Sequence, residues 1–154
     1  MAAVGQVSGR EARANLEAVR RLFAALSTGD LTRADEFVAP TYGDGEGRKR
    51  GDLSSPLRGV AGFRESAGRL RGAFSDLTFE EREVIAAGDR VVVHATMRGR
   101  HVGRFLLVPP TGSVIAVNQV HLFRLAGGKV AAHEELWGEL SLLLQLGAIE
   151  KRGG

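Results

Sequence analysis

Two short stretches carry the residue types that acid–base chemistry needs. Asn118-Gln119-Val120-His121-Leu122-Phe123 and Ala132-His133-Glu134-Glu135-Leu136-Trp137 flank a Gly127-Gly128 pair. Paired glycines favour the positive-φ turns of β-hairpins. Side chains two apart on a strand share a face, so Gln119, His121 and Phe123 lie together on the first strand. His133, Glu135 and Trp137 lie together on the second, opposite Ala132, Glu134 and Leu136. An amide, an imidazole and a carboxylate on adjacent strands are a set that moves protons without a cofactor. The carboxylate takes a proton from carbon, and the imidazole and amide donate hydrogen bonds to the oxygen on which charge develops.

A carboxyl in water, with a pKa of about 4.3, is too weak a base for fast abstraction from carbon. An apolar pocket destabilises the carboxylate and raises that value, and Phe123 and Trp137 supply apolar walls on the same faces. His133 is placed to orient Glu135, and Trp137 to line or stack on a substrate. A one-residue slip in register exchanges Glu135 for Glu134, so Glu134 stands as the rival, with surface charge as its alternative role. Asp76 follows Ser75 in a turn-like pair and is a further candidate at the pocket mouth. A metal site is not expected: the four histidines form no HxH or HxxxH pair, and there is no cysteine to supply a thiolate.

The elements that must position these residues follow from periodicity. Leu16, Val19, Leu22, Phe23 and Leu26 recur at spacings of three and four, which predicts a helix from Glu11 to Ser27 stopped by Gly29. Thr32 caps a second short helix, Arg33 to Val38, that Pro40 prevents from continuing. A polar, Gly-rich loop runs from Tyr42 to Gly59, either a lid or a surface excursion. A third helix spans Val60 to Phe74. The period then changes to that of strands, expected at Leu77–Ala86, Val91–Arg100, Arg104–Val108, Ser113–Leu125 and Lys129–Trp137. A final helix is expected from Glu139 to Leu146. Helices first and then a meander of long strands make an α+β layout, and a curved sheet wrapping the helices would form a cone around an apolar pocket. Residues 1–10 are expected as a flexible tail, 11–148 as one domain and 149–154 as a second tail.

Composition narrows the function classes. A chain of 154 residues buries a real core in one domain. No apolar run reaches the roughly 20 residues of a membrane span, and the first residues lack the apolar stretch of a secretory signal. A cytoplasmic protein with no membrane partner is expected. The pI of about 9.9 accompanies a net charge of only +3, and the one dense basic group, Arg48-Lys49-Arg50, has Glu46 and Asp52 beside it. Without a basic stripe or stacking aromatics, no nucleic-acid partner is expected.

An ordered set of short motifs runs the length of the chain. Asn15-Leu-Glu-Ala-Val-Arg-Arg-Leu-Phe23 is followed by Gly29-Asp-Leu31, Phe74-Ser-Asp-Leu77 and Ala87-Gly-Asp-Arg-Val-Val-Val93. Pro109-Pro-Thr-Gly112, His121-Leu-Phe-Arg124, Gly128-Lys-Val130 and Gln145-Leu-Gly147 complete it. In this order and spacing they resemble the SnoaL-like polyketide cyclases, a branch of the ketosteroid-isomerase-like α+β cones, from about Asn15 to Gly147. The resemblance implies a cone with a deep pocket and a hydrophobic small-molecule substrate. It also implies ring closure by intramolecular aldol condensation without metal or cofactor, in a homodimer or homotetramer. It places the general acid–base on Glu135, with Gln119 and His121 as partners. The chain departs from the family pattern in having Glu where the characterised cyclases use Asp, Glu134 where Trp is frequent, and Gly138 where Asp is frequent. Around Tyr42-Gly43 it lacks the polar residue, usually His, that often follows the second helix. A hydroxylase or epoxide hydrolase acting on a related substrate is the alternative enzyme, and a non-catalytic small-ligand or interaction module of the same fold is the alternative from another class.

Overall fold

The computed structural model describes residues 4–43, 53–150 and 152. Helix α1, Gly9–Thr28, buries Ala12, Leu16, Val19, Leu22, Phe23 and Leu26 along one stripe, as their spacing requires. Gly29 ends it with φ 80°, a left-handed conformation that glycine adopts without strain, and its N–H bonds the Ala25 carbonyl at 2.8 Å. Helix α2 covers Gly59–Ala73 and a short helix α3 covers Glu139–Gln145. Between α1 and α2 the chain makes only a 3-10 turn, Ala34–Glu36, in place of the helix expected from Arg33 to Val38. Val38 and Ala39 leave helical geometry to pair with Val130 instead.

The sheet has five strands in the order β1-β2-β3-β4-β5: Val4–Ser8, Phe74–Ala87, Arg90–His101, Val114–Ala126 and Lys129–Trp137. The last four form an antiparallel meander. β1 is a correction to the expected tail: residues 4–8 pair in parallel with β2, and Val7 packs against the core. A Cβ at position 5 would fall 1.7 Å from the Val84 carbonyl oxygen, so glycine is what allows that pairing. The expected strand from Arg104 to Val108 is also corrected. Phe105 and Val108 exchange both backbone hydrogen bonds across Leu106 and Leu107, whose φ values of 51° and 63° make a two-residue hairpin turn. An apolar Phe-Leu-Leu-Val run hides a turn that normally advertises itself with Asn or Gly.

Register shifts between Ser75 and Thr78, between Glu81 and Glu83, and between Arg124 and Leu125 interrupt the ladders. Bulges bend strands and increase their twist, and the sheet curves without closing, with α1 across its concave face. Phe23 of α1 meets the Phe123 ring at 5.8 Å, and Asn15 anchors the β2–β3 turn through the Gly88 carbonyl at 3.0 Å. Val91, Val93, Ala95 and Met97 of β3, with Ile115, Val117 and Phe123 of β4, are buried at alternate positions. Each such side chain contributes roughly 1.5–3 kcal/mol by leaving water, apart from the smaller Ala95. Segment 37–43 runs along the free edge of β5, bonding Val130 and Ala131. Beyond the end of β5, the Gln145 amide takes both backbone groups of Ala116, at 2.7 and 2.9 Å, and finishes the β4 edge. Among the described residues no helix is long and apolar enough to cross a membrane. Half of the Tyr42–Gly59 segment read as a lid or surface loop, residues 44–52, lies outside the described residues.

Candidate active site

The β4–β5 register decides which side chains meet. Gln119 pairs with Trp137, His121 with Glu135 and Phe123 with His133, all on the concave face. Glu134 pairs with Leu122, which is exposed on the convex face. Glu135 is therefore the inward acid of the pair, its side chain 8% exposed beside a His133 side chain at 3%.

These residues form one connected chain. The His121 Nε2 lies 2.7 Å from Gln119 Oε1, and its Nδ1 lies 2.8 Å from His133 Nε2. His133 Nδ1 is 3.9 Å from Glu135 Oε1, and Trp137 Nε1 donates to Glu135 Oε2 at 2.7 Å. Gln119 Nε2 donates to the Met97 sulfur at 3.4 Å. That last contact orients the rest. With its N–H on sulfur, the Gln119 amide presents oxygen to His121, so His121 donates from Nε2. A neutral His121 then carries its lone pair at Nδ1 and accepts from His133 Nε2–H. His133 Nδ1, on the other side of the ring, faces the Glu135 carboxylate at 3.9 Å.

Aromatic rings wall the chain. Phe23 stands edge-on to the His121 ring at 5.0 Å, and Phe79 does the same at 6.3 Å. Phe123 stacks on His133 at 4.2 Å and on His121 at 6.0 Å. Phe105, at the β3–β4 connection, stacks on Trp137 at 5.5 Å. An imidazole pair and a carboxylate in such walls lose most of their contact with water, the condition that turns weak acids and bases into effective ones. Among the described residues no group of three or more His, Asp or Glu could hold a metal ion.

Of the residues singled out in the sequence, Gln119, His121, Phe123, His133, Glu135 and Trp137 come together. Asp76 does not. It is exposed at a bulge of β2 with φ 55°, where its carboxylate accepts from the Ser75 hydroxyl at 3.4 Å. The bulge turns that position out of the alternation that would have carried it inward. Both ring nitrogens of His121 are engaged by Gln119 and His133, so its bonds fix its neighbours. Sequence reasoning missed Met97, Phe79, Phe105 and Tyr42. Met97 had a signal, since it continues the inward alternation of Val91, Val93 and Ala95, whereas Phe105 had none because its loop read as a strand. Tyr42 is buried, and burial and the Glu135 carboxylate push its phenol far above the usual range.

Known proteins give this geometry a context. The chain is 31% identical over 127 residues to the nogalonic acid methyl ester cyclase of Streptomyces nogalater, a match covering 82% of this chain and 92% of the relative. It is 31% identical over 133 residues to the aklanonic acid methyl ester cyclase of Streptomyces peucetius, covering 86% and 90%. Among solved structures, TsrD from Streptomyces laurentii superimposes with a TM-score of 0.77 at 26% identity, over 89% of this chain and 97% of that one. The family description for SnoaL-like polyketide cyclases matches residues 16–146. That span holds every strand of the meander and all the side chains of the inward cluster, and on it the chain is a member of the SnoaL-like polyketide cyclase family.

Proposed function

We propose that the protein closes a ring on a polyketide-derived aromatic β-keto ester by intramolecular aldol condensation, without a cofactor, and that Glu135 is its acid–base. Relatives named as cyclases of polyketide acid methyl esters support the substrate class. The observation that carries the reading is the Glu135 carboxylate, turned inward, bonded by Trp137 and facing His133 inside aromatic walls. The carboxylate takes a proton from the carbon flanked by ketone and ester carbonyls. The enolate carbon forms the new C–C bond to a second ketone carbon, and the electron pair of that C=O becomes an alkoxide. Glu135, now protonated, returns the proton to that oxygen, and product and substrate have the same mass.

Each neighbour has a part in this scheme. Trp137 fixes the carboxylate by donating to Oε2. His133 stands 3.9 Å from Glu135 and borders the space in which substrate charge develops. Gln119 keeps its oxygen on His121 while its N–H rests on sulfur, a weak acceptor that a substrate oxygen can replace. His121 holds Gln119 and His133 in register. The test is conversion of an uncyclised aromatic β-keto ester by protein stripped of metal, followed by chromatography and mass. Wild type is expected to give a product of unchanged mass, and Glu135→Gln to lose about 10²–10⁴ in rate. Equal conversion by the two proteins removes Glu135 from the mechanism.

A further inference from the structure

Tyr42, the single tyrosine of the chain, is a buried hydroxyl-bearing group that the scheme above does not use. Three parts of the fold hold it. Its N–H bonds the Ala39 carbonyl at 3.0 Å, its carbonyl accepts from Gly59 at the start of α2 at 2.9 Å, and Gly43 beside it bonds Ala131 of β5 at 3.3 Å. Its ring stands edge-on to Phe63 at 6.0 Å. Tyr42 and His133 both line one cavity of about 100 Å³, which also has Ser54, Ser55, Leu57 and Ser66 in its wall. This cavity lies at the end of the Gln119–His121–His133 chain, next to the imidazole that faces Glu135.

We propose that Tyr42 is a further catalytic residue, whose phenolic O–H donates a hydrogen bond to the substrate oxygen that gains negative charge. The cavity it shares with His133 takes the oxygen-bearing substituent at that position. This inference rests on the cyclase reading of the same site. In the first step charge leaves Glu135 and appears on the enolate oxygen, while the Tyr42 proton stays on Tyr42. A hydroxyl dipole already held in the field of the Glu135 carboxylate needs little reorganisation when the charge moves. Burial and that carboxylate both keep the phenol neutral, which makes it a donor across the working range and never a base. A backbone pinned at three points gives the donor a fixed position.

The test uses the single tyrosine and single tryptophan of the chain as reporters. 2-Hydroxyanthraquinone at a pH where it is ionised mimics the enolate, and anthraquinone lacks the charged oxygen. Affinities are read from Trp137 fluorescence, with turnover of the β-keto ester measured alongside. Tyr42→Phe is expected to weaken phenolate binding about 10- to 100-fold, the contribution of a hydrogen bond to a charged group. It should leave anthraquinone binding unchanged and lower kcat more than it raises KM. In wild type, phenolate binding should shift the tyrosine ultraviolet band, a readout that needs no variant to fold. Unchanged phenolate affinity in Tyr42→Phe, or no band shift in wild type, overturns the role of Tyr42 while wild-type turnover leaves the cyclase reading standing. No turnover by wild type overturns that reading, and this role with it.

Discussion

Two buried histidine sites use the same residue type for opposite ends. In the β4–β5 hairpin, His121 and His133 bond each other, and their chain runs from the Gln119 amide to the Glu135 carboxylate. At the end of β3, His101 is wholly buried, yet its Nδ1 accepts from the Thr111 backbone N–H at 3.2 Å and contacts the Thr111 hydroxyl at 2.9 Å. Its backbone carbonyl and N–H bond Gly112 and Ser113. His101 therefore clamps the two ends of the β3–β4 connection. Burial of an imidazole does not by itself make a reaction centre. What differs is the group beyond the imidazole: at His101 a backbone amide bonds the ring directly, whereas at His133 a carboxylate stands 3.9 Å from Nδ1, at ion-pair rather than hydrogen-bond distance.

The largest expected effect that separates the sites is on turnover. His133→Phe keeps an aromatic ring against Phe123 but removes the nitrogen facing Glu135, and should lower kcat roughly 10²-fold. His101→Phe should leave kcat within a fewfold of wild type, and a comparable loss in both variants would erase the distinction. Glu134→Gln, on the convex face, should leave turnover unchanged where Glu135→Gln lowers it by about 10²–10⁴.

The next effect is on stability against pH. Burial lowers the His101 pKa below its ordinary 6.5, with the Gly103 carbonyl pulling the other way. In the window below 6.5 the unfolded chain takes up a proton at this position and the folded protein does not, so acidification favours unfolding. The contribution of His101 is present above that value and lost as pH falls toward the folded-state pKa. Thermal melts of wild type and His101→Phe across this window should show the wild-type slope reduced in the variant, with parallel curves as the contrary result. At neutral pH, losing the acceptor for Thr111 should cost about 1 kcal/mol, read by urea unfolding. The smallest effect concerns the connection that His101 clamps. Leu107 is 81% exposed at a positive φ, so Leu107→Gly should relieve strain at no burial cost and stabilise by about 0.5–1 kcal/mol. A lower unfolding midpoint would show that the leucine side chain contributes a contact.

The candidate site was largely legible because hairpin periodicity and hydrogen-bond chemistry are local. Gly127-Gly128 set the turn, and alternation sorted Gln119, His121, His133, Glu135 and Trp137 onto shared faces without any knowledge of the rest. Asp76 and the Arg104–Val108 segment were misread for local reasons of the opposite kind. A bulge breaks alternation without a sequence mark, and Leu106-Leu107 turn the chain with residues that disfavour turning. The β1 strand was illegible because five residues with two valines gain a partner only from the free edge of β2.

By itself the sequence determined the α+β order of elements, the buried stripe of α1 and which hairpin side chains share a face, since each depends on side chains a few residues apart. Only the tertiary structure decided that Glu135 and not Glu134 faces α1, because the concave side is defined by what packs on it. It also decided that Met97 orients the Gln119 amide, that Phe23, Phe79 and Phe105 wall the imidazoles, and that Tyr42 meets His133 across one cavity. Those contacts join segments far apart in the chain. Their geometry is set by the curvature of the whole sheet, which no short pattern encodes.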